Sequence, residues 1–149
     1  LSDPQKVLKN VLFSLKPSGR LVGSTWGRIE ENKGHYAIAT ALEMLGFQPA
    51  LKPFSFGDTD RLKDVFTSSG FVIETILTEQ KIINFRSVKD FVSGVAAGAP
   101  ATRHAISKLD GNTYETFFEM VEELLSDYST ANSVALPTQA HIVLAVPAA

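Results

Sequence analysis

The chain has 149 residues, of which 44% are hydrophobic and 20% charged, with a formal net charge of −2 and no cysteine. This is long and apolar enough to bury a core, which excludes a disordered chain. The missing cysteines exclude a disulfide framework, a thiolate zinc site and a cysteine nucleophile. No apolar run spans a bilayer and no signal-peptide pattern opens the chain, so the expectation is an intracellular, cytoplasmic protein. An organelle stays open if a targeting segment lies upstream. All 14 Lys and Arg fall within residues 1–108, while residues 109–149 hold six acids and no Lys or Arg. The basic residues are scattered and not interleaved with aromatics, so no nucleic-acid surface is expected.

The chain opens on Leu1-Ser2-Asp3-Pro4, without an initiator Met, directly onto a helix, which reads as a fragment. Asp3 and Pro4 suit a helix start, and Val7, Leu8, Val11, Leu12 and Leu15 form one apolar stripe to about residue 16. Pro17 stops that helix, Ser18-Gly19 turn the chain, and a strand follows at 20–26. With few polar interruptions, that strand is expected to be buried on both faces, as in a parallel sheet covered by helices.

A polar loop at 27–34 leads to a helix at about 35–45, with Ile38, Ala41, Leu42 and Leu45 inward and Gly46 as its stop. Residues 47–57 hold two prolines and three phenylalanines and read as an ordered loop. Asp58 caps the next helix, which ends at Gly70. The strand at 71–83 carries Glu79-Gln80-Lys81, and that much charge places it at a sheet edge. Ser87-x-x-Asp90 opens a helix to about 97, and a short helix follows the Gly98-Ala99-Pro100 break.

Asn112 is expected to cap an amphipathic helix at 112–128, with Tyr114, Phe117, Phe118, Val121, Leu124, Leu125 and Tyr128 on its apolar side. Last comes the nearly continuous apolar run 140–146, expected to be buried on both faces and to lie inside the sheet. The fold class is therefore α/β, one domain with three strands in the spatial order 20–26, 140–146, 71–83.

Leu15-Lys16-Pro17-Ser18-Gly19 followed by an apolar strand resembles the fifth-strand segment of class I S-adenosylmethionine-dependent methyltransferases, with Ser18 where the family has Gly. Together with Phe56-Gly57-Asp58, Ser69-Gly70-Phe71 and Ala140-His141-Ile142-Val143, the whole chain resembles the C-terminal half of the ubiquinone/menaquinone-biosynthesis (type 11) family. The resemblance implies a Rossmann-like sheet whose final strand inserts antiparallel between the fifth and sixth, and a helical cap at about 87–128. It implies S-adenosylmethionine as the parent enzyme's cofactor and a small-molecule acceptor, such as a quinone precursor or another apolar metabolite. The family's Gly-rich cofactor loop has no counterpart here, so no cofactor residue carries over. The chain alone is expected to be inactive and not to bind S-adenosylmethionine.

Ser24, Thr25 and Trp26 end a strand, where ligands of open α/β sheets sit, and they are candidates for substrate binding. The plain alternative is backbone bonding by the hydroxyls and a core role for the indole. His35 and Tyr36 are further candidates, against mere decoration of a helix start. Arg103 and His104 read as surface, and His141 as a core histidine with its bonds satisfied. Three dispersed histidines give no metal site, and no catalytic residue is assigned. The rival to an enzyme is a non-catalytic interaction or dimerisation module, with a homo-oligomer expected through the edge of the 20–26 strand.

Overall fold

The computed structural model describes residues 3–148. Leu1 and Ser2, half of the opening segment, lie outside them. The helices are α1 (Pro4–Ser14), α2 (Lys33–Met44), α3 (Thr59–Ser68), α4 (Val88–Gly98), α5 (Pro100–Ile106) and α6 (Gly111–Leu124). The strands are β1 (Leu21–Trp26), β2 (Phe71–Phe85), β3 (Ser129–Thr130) and β4 (Ser133–Pro147). No helix among the described residues is long and apolar enough to cross a membrane.

Local hydrogen bonding sets the helix starts. Asp3 accepts from the Lys6 amide at 2.9 Å, Asp58 from Asp60 at 2.8 Å, and Ser87 from Asp90 at 3.0 Å, as their positions in the sequence predict. The start of α6 differs. Asp110, not Asn112, is the cap, accepting from the Thr113 amide at 2.8 Å. The carboxylate two residues earlier offers the stronger acceptor to the open amides of the first turn. That helix also stops at Leu124, and a 3₁₀ turn covers Ser126–Tyr128. Between α3 and β2 the chain reverses at Gly70 with φ +91°, a conformation glycine takes without a side-chain clash.

The sheet order is β1-β4-β2, with β3 forming a tight hairpin onto the start of β4. The chain's last strand thus lies between the two earlier ones, as the polarity of the three segments predicts. β1 runs antiparallel to β4 in an unbroken register from Leu21↔Ala145 to Trp26↔Ala140. β2 is antiparallel to β4 as well: the Ala148 amide donates to the Gly70 carbonyl, and further along His141 meets Thr78. β4 is far longer than the 140–146 run, because Pro137, Thr138 and Gln139 interrupt its apolar pattern without ending the strand.

The chain divides into two compact units, one of Leu1–Arg28, Phe54–Glu79 and Gln139–Ala149, the other of Ile29–Pro53 and Gln80–Thr138. In the first unit α1 and α3 cover one face of the sheet. Leu8, Val11 and Leu12 of α1 and Leu62 and Phe66 of α3 pack on Leu21, Phe71, Val143 and Ala145. The other face carries Val22, Val72, Leu77 and Ile142, all exposed. The expectation that residues 20–26 are buried on both faces is therefore corrected. β1 alternates, with Val22 66% exposed, because it pairs antiparallel under a single layer of helices. The same correction applies to residues 140–146, where His141, Val143 and Ala145 are buried and Ile142 is not.

In the second unit α2, α4 and α6 enclose a core of Ile38, Leu42, Phe91, Val92, Phe117 and Val121, completed by Val134 and Leu136. The apolar stripe of α6 is narrower than its sequence predicts. Phe117, Val121 and Leu125 are fully buried, whereas Leu124 is 42% exposed. Adjacent helix positions point about 100° apart, so Leu124 and Leu125 do not both face the core. Phe117→Ala should accordingly cost about 3–5 kcal/mol in denaturant unfolding, and Leu124→Ala less than half as much. Equal losses for the two variants would contradict this packing.

Candidate functional site

The candidate site lies in the first unit, at the carboxyl end of β1. Strand alternation sends Ser24 and Trp26 to the exposed face and Thr25 to the covered one. Trp26 tilts against Phe54, with ring centroids 6.1 Å apart and an interplanar angle of 37°. Phe54 belongs to the 3₁₀ turn Lys52–Phe54, just before the segment that closes over the strand end.

That segment is fixed at both sides. Gly57 packs so closely that an added Cβ would lie 2.6 Å from the Arg28 backbone, which requires glycine. Next to it, Arg28 Nη2 donates to Asp58 Oδ2 at 2.9 Å. Both partners are largely exposed, so this pair orients the segment more than it stabilises it. The Asp58 carboxyl is held below its ordinary range chiefly by the Asp60 amide, then by the Arg61 amide, with Arg28 a smaller contributor.

Beneath the segment lies a polar row on an otherwise apolar face. His141 is 3% exposed, its Nε2 lies 3.0 Å from the Gly57 carbonyl oxygen, and its Nδ1 lies 2.9 Å from Thr78 Oγ1. The carbonyl only accepts, so Nε2 carries the proton, and in the neutral ring Nδ1 accepts from the Thr78 hydroxyl. His141 is thus the satisfied core histidine that its place in an apolar strand predicts. Thr25 stands directly across the ladder from it. Its Oγ1 is buried and has no hydrogen-bond partner.

The predicted site residues separate into two groups. Ser24, Thr25 and Trp26 belong to this strand end, whereas His35 and Tyr36 lie in the first turns of α2, in the other unit. His35 packs edge-on against Phe91 at 6.0 Å between centroids, and burial lowers its pKa below 6.5. Tyr36 is 44% exposed. Arg103 and His104 are exposed, as expected of surface residues. Phe54, Arg28, Asp58 and Thr78 were not singled out as site residues. Only Asp58 adjoins the Phe-rich loop in sequence, and nothing local marks Arg28, 30 residues earlier, as its partner.

The residues of this strand end do not suit S-adenosylmethionine. Gly27 follows the strand, but a Cβ there would meet the Gln139 side chain, so the glycine serves internal packing. No second glycine offers backbone amides beside it before Lys33, at the start of α2.

No family model and no curated protein matches the chain. Among solved structures it is similar to phosphoethanolamine N-methyltransferase 2 of Haemonchus contortus, in complex with phosphomonomethylethanolamine and S-adenosylhomocysteine. The identity is 12% and the TM-score 0.38, over 99% of this chain and 30% of that one. A likeness that distant establishes neither a fold nor an activity for this chain.

Two outcomes follow from these side chains. Thr25→Val should leave stability unchanged or raise it by up to about 1 kcal/mol, since it removes a buried hydroxyl that bonds to nothing. A loss above about 1 kcal/mol in urea unfolding would reveal a partner for that hydroxyl. His35 gives a pH dependence of known sign. Its folded pKa lies below 6.5, so below that pH the unfolded chain takes up the proton first. Its contribution is complete above pH 6.5 and lost as pH falls through the lowered folded value. His35→Gln should flatten the stability profile in that window, and an unaltered profile would contradict the burial.

Proposed function

We propose that this chain is the substrate-facing part of an S-adenosylmethionine-dependent methyltransferase acting on a small molecule, a quinone precursor or other apolar metabolite. The observation that carries this reading is the strand order. Consecutive strands are neighbours in roughly two-thirds of cases, so a last strand slipped antiparallel between two earlier ones is a restrictive arrangement. It is the arrangement implied by the resemblance of Leu15-Lys16-Pro17-Ser18-Gly19 and its strand to the class I family. Methyl transfer asks a protein mainly to align the accepting atom and exclude water. Trp26 and Phe54 offer an apolar wall for that purpose at the strand end, with the Ser24 hydroxyl on the same face of β1 as Trp26. Since the cofactor's residues are not found here, no step of the reaction is assigned to this chain.

A second reading is an interaction or dimerisation module. It is favoured by the exposed apolar face of the sheet and by the absence, among the described residues, of a strand beyond β1.

The test measures binding and turnover separately. Calorimetry on the chain alone should show no saturable binding of S-adenosylmethionine. The protein translated from the complete reading frame should transfer a labelled methyl group to an organic-soluble small molecule. In that protein Trp26→Ala should raise KM for the acceptor about tenfold or more, the range expected for one lost aromatic wall. Micromolar binding by the chain alone would overturn its assignment to the substrate side only, and an inert full-length protein would overturn the methyltransferase reading.

A further inference from the structure

The sheet has two terminal strands among the described residues, and they differ in kind. β2 is blunted: Glu74, Glu79 and Lys81 lie along it. Its inward positions are Phe71 and Ile73, then Ile76, so the alternation slips by one residue at Glu74-Thr75, as an inserted bulge residue would cause. Charges and bulges are the usual protections of an edge against another strand. β1 has neither. Its six residues hold one register with β4 and include no charge and no proline. Val22 stands 66% exposed on it.

We propose that a second copy of this chain docks along the outer edge of β1, strand antiparallel to strand, about a twofold axis at Gly23. A twofold axis normal to the sheet keeps each face with itself, so residues of like parity stand opposite one another. Two axes use the whole strand, and charge decides between them. An axis at Ser24 sets Arg20 opposite Arg28 of the second copy, whose guanidinium is already held by its own Asp58, so it adds no attractive pair. An axis at Gly23 sets Arg20 opposite Trp26, Val22 opposite Ser24 and Leu21 opposite Thr25. Arg20 and Trp26 share a face, so each guanidinium meets an indole, a favourable cation–π pairing made twice. The Arg20–Glu74 pair is exposed and 3.7 Å long, a weak tether for that side chain. At the axis, a Cβ on Gly23 would meet nothing within 4 Å, so two copies of that position have room. The inference rests on the second reading and excludes the first, in which another strand of the same protein would occupy this edge.

The chain has no cysteine, so single cysteines report proximity without background. Gly23→Cys sets two identical thiols opposite one another, with Cβ atoms about 4.5–5.5 Å apart, from which a small strand adjustment forms a disulfide. Oxidised Gly23→Cys should run as a covalent dimer on a non-reducing gel, and Ser24→Cys should cross-link roughly tenfold less. Circular dichroism confirms that both variants fold. Unmodified protein should be a dimer by light scattering, and Arg20→Ala should weaken association about tenfold. A wild-type monomer at high concentration would overturn the proposal. Faster cross-linking through Ser24→Cys would overturn the Gly23 axis.

Discussion

The structure depends on one strand being in the middle. β4 is the last strand of the chain, yet it supplies the hydrogen-bonding partner for both β1 and β2, which do not touch each other. It also feeds both cores, with Val134 and Leu136 in one and Val143 and Ala145 in the other. Without it, β1 and β2 would keep unpaired backbone on both sides, and neither helical layer would have a continuous surface to cover. Its apolar content is what holds it inside. The charges of β2 belong at the rim, where water reaches them.

The strand end of β1 inherits its order from that ladder. Pairing with β4 sets Thr25 beside His141, and His141 in turn holds the Gly57 carbonyl from below. From the side, the Arg28–Asp58 pair holds the same segment. The segment follows Phe54, whose ring meets Trp26. A core histidine with both ring nitrogens bonded thereby helps place the pair Trp26 and Phe54. Thr25 is the exception in this polar row, with a buried hydroxyl that bonds to nothing.

The two readings of function draw on different parts of the same sheet. A methyltransferase reading uses the carboxyl end of β1 and the order of the strands. A module reading uses the outer edge of β1 and its exposed face. They agree that β1 is the strand that matters, because β2 carries the charges that discourage contact.

Much was legible in the sequence where the cause is local. Asp3, Asp58 and Ser87 announce their helices because a cap bonds an amide two or three residues away. The central place of 140–146 and the edge place of 71–83 followed from polarity alone. Other features depended on partners far along the chain. Which of Leu124 and Leu125 is buried depends on where α2 and α4 pack, and that Asp110 caps α6 depends on how the chain enters it. The single layer of helices over β1, and hence the exposure of Val22, is a property of packing that an apolar run does not specify. The site shows this most clearly. Arg28 meets Asp58 across 30 residues and His141 meets Gly57 across 84, so no window of sequence holds both partners. The sequence determined most of the elements and the order of β1, β4 and β2, because capping, periodicity and polarity act over a few residues; it missed β3 and the first half of β4. Only the tertiary structure decided which faces stay open and which side chains meet at the strand end, because those depend on long-range pairing.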